Sequence, residues 1–92
     1  MNEKLLQIEQ WIELNRLQDA ELEISQLRMT GAGSAQLHFL QGKLEMKTER
    51  WGDAINSFQK ALELEPNMET ARTNIEMSRS ILSFFNADML NP

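Results

Sequence analysis

The chain has no cysteine and no tyrosine, only two prolines and four glycines among 92 residues, and no long apolar run. Without cysteine there is no disulfide framework, no thiolate nucleophile and no cysteine-ligated metal, a usage that suits a reducing compartment and predicts a cytoplasmic location. So little proline and glycine excludes collagen-like and linker-like composition. No apolar stretch approaches the roughly 20 residues of a membrane helix. Met1 is followed by Asn-Glu-Lys rather than by a basic segment and an apolar core, so no signal peptide is expected. Basic residues are also scarce, nine against fourteen acidic ones, for a net charge of −5. They are scattered singly, which disfavours nucleic acid and anionic membrane as partners, because both require clustered Lys and Arg to displace counterions.

Chemistry-bearing clusters are equally thin. His38 is the sole histidine and has no second imidazole or thiol to share a metal with; it reads as a helix-packing residue. Glu9 and Glu13, and Glu21 with its neighbours, have the spacing of a solvated helix face rather than of a catalytic carboxylate pair. Gly31-Ala32-Gly33 lacks the Lys-Ser/Thr ending of a phosphate loop and follows a helical pattern, so it reads as a helix exit. Met29, Met46, Met68, Met77 and Met89 read as core or groove filler. No catalytic residue, metal or cofactor is expected, and the chain is not read as an enzyme.

What is present is a repeat. Offset by 34 residues, the sequence aligns Leu6 with Leu40, Gln7 with Gln41, Arg16 with Arg50, Asp19 with Asp53 and Ala20 with Ala54. Apolar character also recurs, Leu5 with Phe39, Ile12 with Met46, Leu17 with Trp51 and Ile24 with Phe58. Periodicity predicts five helices, near residues 3–14, 17–29, 35–47, 52–64 and 68–86. The first carries Leu5, Ile8 and Ile12 on one stripe, widened by Leu6, Trp11 and Leu14. The second carries Leu17, Ala20, Ile24 and Leu27. In the third, Leu37, Leu40 and Leu44 face one way, Phe39 and Met46 another. The fourth has the cleanest stripe, Trp51, Ala54, Ile55, Phe58, Ala61 and Leu62, and ends before Pro66. The fifth places Ala71, Ile75, Leu82 and Phe85 on one face. Ser34 and Asn67 are the expected caps of the third and fifth helices. Helices of this length joined by short turns pack as antiparallel hairpins: an all-α fold of two hairpins and one longer last helix.

Residues 35–68 resemble a tetratricopeptide repeat, through Gly42, Ala54-Ile-Asn-Ser-Phe58, Ala61 and Pro66 in the spacing of that 34-residue helix pair. The resemblance implies one domain over 1–92: a degenerate repeat over about 1–34, a regular one over about 35–67, a capping helix over about 68–86 and a tail over 87–92. It further implies a right-handed superhelical stack, in the manner of the small stand-alone bacterial repeat proteins. Ile8 stands where the family has a small residue and Ala32 where it has proline. The implied function is that of an adaptor that binds a protein or peptide in the groove lined by the first helix of each pair. Carried over position by position, the groove comprises Leu5, Glu9, Ile12 and Glu13 of the first helix. The third adds Gln36, Phe39, Lys43, Met46 and Lys47, and the fifth Thr70, Thr73, Met77 and Ile81. Leu5 and Glu9 occupy sites where carboxylate-clamping members carry Lys and Asn, so that specificity is not expected. Three apolar anchors at roughly 1.5–3 kcal/mol each predict weak, micromolar-range binding once ordering costs are subtracted. Trp11, Ile81, Phe84 and Phe85 are the expected contacts for the tail folding back or for a homodimer. The alternative reading is a structural homo-oligomer joined through its apolar end helices.

Overall fold

The computed structural model of the chain describes residues 3–31 and 33–85. Five helices follow one another: α1 (Glu3–Glu13), α2 (Leu17–Met29), α3 (Ala35–Lys47), α4 (Trp51–Leu64) and α5 (Glu69–Phe85). There is no strand among the described residues. α3 packs most extensively on α4 and α4 on α5, while α1 touches both α2 and α3. The order is that of two helical hairpins followed by a fifth helix laid on the second.

The two hairpin turns are copies of each other to the level of single hydrogen bonds. In the first, the Asn15 amide donates to the Ile12 carbonyl at 3.0 Å and the Arg16 amide to the Trp11 carbonyl at 2.7 Å. In the second, Glu49 donates to Met46 at 3.0 Å and Arg50 to Glu45 at 2.8 Å. These paired bonds close a helix C-terminus in the Schellman arrangement, which requires a left-handed residue just past the cap. Asn15 (φ 63°) and Glu49 (φ 60°) supply it, with no glycine in either turn. In the first turn the Arg16 guanidinium also lies 5.9 Å from the centre of the Trp11 ring. The exit from α2 uses a different device, Gly31 at φ 82°. Ser34 then caps α3, its hydroxyl accepting from the Leu37 amide at 3.1 Å, as the sequence predicts. At the start of α5 the expectation fails. The helix begins at Glu69, so Met68 rather than Asn67 precedes it, and the turn is held by Arg72, which donates to the Pro66 carbonyl and pairs with Glu69.

The interior falls into two clusters. Ile8, Ile12, Ala20, Ile24, Leu37, Leu40 and Leu44 form the first, between α1, α2 and α3. Ala54, Phe58, Ala71 and Ile75 form the second, between α4 and α5. Phe39 packs against both clusters and tilts against Phe58 with ring centres 5.5 Å apart. Gly42 is small for a concrete reason: a Cβ there would lie 2.6 Å from the Phe58 ring. Polar groups are buried too. Glu45 accepts from the Ser57 hydroxyl at 2.6 Å and from the Gln41 amide at 3.0 Å. Ser78 sits buried in α5 with no hydrogen-bond partner for its hydroxyl.

Two packing expectations are corrected. Phe85 does not share the buried face of Ala71 and Ile75; that face continues through Ser78, and Phe85 is 72% exposed. Leu14 lies beyond the end of α1 and is 70% exposed, so it does not widen the inner stripe.

Candidate functional site

The first helices of the successive pairs, α1, α3 and α5, supply the face on which binding residues are expected. α1 and α3 are linked there by the Lys43 ammonium, which reaches the Glu13 carboxylate at 3.2 Å. The same ammonium lies 5.8 Å from the centre of the Phe39 ring. Between α3 and α5 the surface opens into a pocket of about 260 Å³, lined by Lys43, Met46, Lys47, Trp51 and Asn74.

The expected groove residues divide by burial. Ile12 is fully buried in the first core cluster, because α1 turns it toward α2 and α3; it cannot meet a ligand, and its assignment to the groove is corrected. Phe39 is half-buried and joins the two clusters, so packing claims most of its ring. Leu5 packs against the first cluster. Gln36 reaches across to Glu65, donating at 3.4 Å. Glu9, Lys43 and Met46 are half-buried, and Lys47, Thr70, Thr73 and Met77 are exposed. Of the contacts expected for a tail or a second copy, Trp11 lies against the first cluster and Ile81 is half-buried. Phe84 and Phe85 stack edge to face, ring centres 5.0 Å apart, and are 80% and 72% exposed. Residues 86–92, on which the fold-back expectation rests, lie outside the described residues.

Two pocket residues were read otherwise from the sequence. Helical spacing places Trp51 in the packing stripe of the fourth helix and does not single out Asn74. The signal for Asn74 lies in the repeat: it stands 34 positions after Leu40, which is 1% exposed and plugs the corresponding seam between α3 and the first pair. A short amide at a plug position leaves an opening.

The charge on this face changes sign along the repeat. The positions held by Glu9 and Glu13 in α1 are held by Lys43 and Lys47 in α3, and by Met77 and Ile81 in α5. The face therefore runs from carboxylates at one end, through ammonium groups in the middle, to apolar side chains at the other. Among the described residues, no three His, Cys, Asp or Glu side chains converge to hold a metal ion. None of the described helices is long and apolar enough to cross a membrane. His38 lies away from this face, half-buried, with Arg28 of α2 and Lys60 and Glu63 of α4 around it. Burial first, then Arg28 and Lys60, hold its pKa below the ordinary value, with Glu63 opposing them.

Residues 35–68, which comprise α3, its turn and α4, match the family model for the tetratricopeptide repeat. No curated protein and no solved structure matches the chain. Repeats of this kind serve in general as protein–protein interaction modules. With a matched hairpin at its centre, a second hairpin of the same turn geometry before it and a fifth helix after it, the chain carries a tetratricopeptide repeat at residues 35–68 within an all-α, tetratricopeptide-like helical fold.

Proposed function

We propose that the chain is a non-enzymatic adaptor that holds a peptide or a helix of another protein across α1, α3 and α5. The observation that carries this reading is the pocket between α3 and α5, whose lining combines Met46 and Trp51 with two lysines and an amide. Such a mixture of apolar surface and a few placed polar groups is what orients a bound polypeptide. At the corresponding seam between α3 and the first pair, Leu40 stands where α5 has Asn74 and is 1% exposed. The test is capture of partners from the source cell, with mapping of the contact by methyl NMR. Paired changes Met46→Ser and Lys47→Glu, both at partly or fully exposed positions, should abolish capture while leaving helicity unchanged. Capture that survives them, but is lost on changes to the opposite surface at Gln59 and Glu63, would end this reading.

A second reading, assembly of copies through their end helices, draws on the exposed pair Phe84 and Phe85. Sedimentation of the same preparations separates the two: a monomer at high micromolar concentration leaves the adaptor reading alone.

A further inference from the structure

We propose that the pocket between α3, Trp51 and α5 takes a single large apolar side chain from a partner segment whose flanking residues are acidic, and that Glu13 competes with that segment for Lys43. The proposal rests on the adaptor reading and specifies its ligand.

Size comes first. The pocket encloses about 260 Å³, below the roughly 300–1,000 Å³ of sites that enclose a small molecule. It has room for one anchoring side chain, with the rest of the ligand lying outside along the helices. Met46 and Trp51 offer that anchor a polarisable thioether and an aromatic wall.

Charge then selects what surrounds the anchor. The chain carries a net −5 and only four lysines, yet two of those lysines line this one pocket. Lys47 is exposed and makes no ion pair among the described residues. Among the described residues, Lys43 has a single carboxylate partner, Glu13, across the gap to α1. At the same positions α1 has carboxylates and α5 has uncharged side chains, so the positive charge is concentrated where the pocket is. Acidic residues beside the anchor meet Lys47 directly and can take Lys43 from Glu13; basic ones are repelled by both. Because the lysines are partly solvated, the effect appears in selectivity and in salt dependence.

The experiment uses the full chain and short, C-terminally amidated, fluorescein-labelled peptides. Each has a central Phe flanked by Glu, by Ser or by Lys, and anisotropy is measured at low and moderate salt. The Glu-flanked peptide should bind on the order of tenfold tighter than the Lys-flanked one, the gap narrowing as salt rises. Replacing its Phe by Ala should remove binding. Lys47→Gln should erase much of the preference. Glu13→Gln should tighten the Glu-flanked peptide by roughly two- to threefold and leave the Ser-flanked one unchanged, a gain that a merely structural role for Glu13 would not produce. Equal affinity for the Glu- and Lys-flanked peptides, with Met46 methyl shifts in both, overturns the acidic preference while the adaptor reading stands. Absence of binding and of Met46 shifts with every peptide overturns this ligand assignment, while the adaptor reading is decided by the capture experiment. A Met46 methyl that already contacts residues 86–92 or a second copy in the free protein overturns the assignment to a separate partner.

Discussion

The two hairpins solve the same packing problem with different pairs of side chains. At the crossing of α1 and α2 stand Ile8 and Ile24, both essentially inaccessible; at the equivalent crossing of α3 and α4 stand Gly42 and Phe58. Two medium residues do in one place what a minimal and a large one do in the other. Glycine plus phenylalanine is a smaller sum than two isoleucines, so the two crossings fill their space with pairs that differ in shape and in size, each close-packed between its own helices. The difference teaches why the first hairpin looks degenerate as a sequence yet folds as a copy: a family pattern records one pair of side chains at this crossing, whereas packing requires only that the pair present fill the space its own helices leave.

The comparison can be broken by moving one residue without the other, and this is the largest effect expected. Gly42→Ile drives side-chain atoms into the Phe58 ring and should cost about 1–3 kcal/mol even after the gain from removing a helical glycine. Phe58→Ile alone leaves a cavity and should cost about 2 kcal/mol. The double variant recreates the first hairpin's pair in the second, and its destabilisation should fall short of the sum by about 1 kcal/mol or more. Urea denaturation of the four proteins measures this directly. Strict additivity would show that the two crossings are not interchangeable solutions.

A finer comparison concerns the turns. Both end a helix on a left-handed residue, but Asn15 is a residue that tolerates this conformation, while Glu49 is not. Glu49→Gly should therefore stabilise the chain by about 0.5–1 kcal/mol, a rise of roughly 2–8 °C in Tm for a domain of this size. Asn15→Gly should change it by only a few tenths. If the two substitutions have equal effects, the backbone strain assigned to Glu49 is absent.

The fold was legible because its signals are periodic. Apolar spacing located all five helices, and the 34-residue offset placed the turns. The boundaries that moved did so where no periodic residue marks them, as at Asn67, where an arginine from the next turn rather than a side-chain cap holds the entry. The site was less legible. Position in the repeat assigned Ile12 to the groove, yet burial is decided by the neighbouring helices, and α1 turns that residue inward. Phe85 was placed inside by helical phase alone and lies outside. The pocket escaped sequence reading because it is made by a deficiency, an asparagine where the preceding repeat has leucine, and its lining comes from three helices at once.

The smallest expected effect separates the hairpins by their response to acid. Position 4 in the first repeat is Lys4, which lies 3.7 Å from Glu23; its counterpart in the second is His38. Burial, with Arg28 and Lys60 nearby, lowers the His38 pKa below its ordinary 6.5, and Glu63 only partly offsets them. In the unfolded chain the imidazole gains its proton at about pH 6.5, whereas in the folded chain it does so only at lower pH. Between those two values the unfolded state binds more protons, so stability falls as the pH drops from 6.5 toward the folded pKa. Above 6.5 the residue is neutral in both states and contributes no slope. His38→Gln should flatten the fall in urea midpoint between pH 7.5 and the onset of carboxylate protonation. Glu63→Gln should steepen it, because it removes the one neighbour that favours the charged ring. An unchanged slope in His38→Gln would show that acid acts elsewhere, and that the second hairpin is no more sensitive to it than the first.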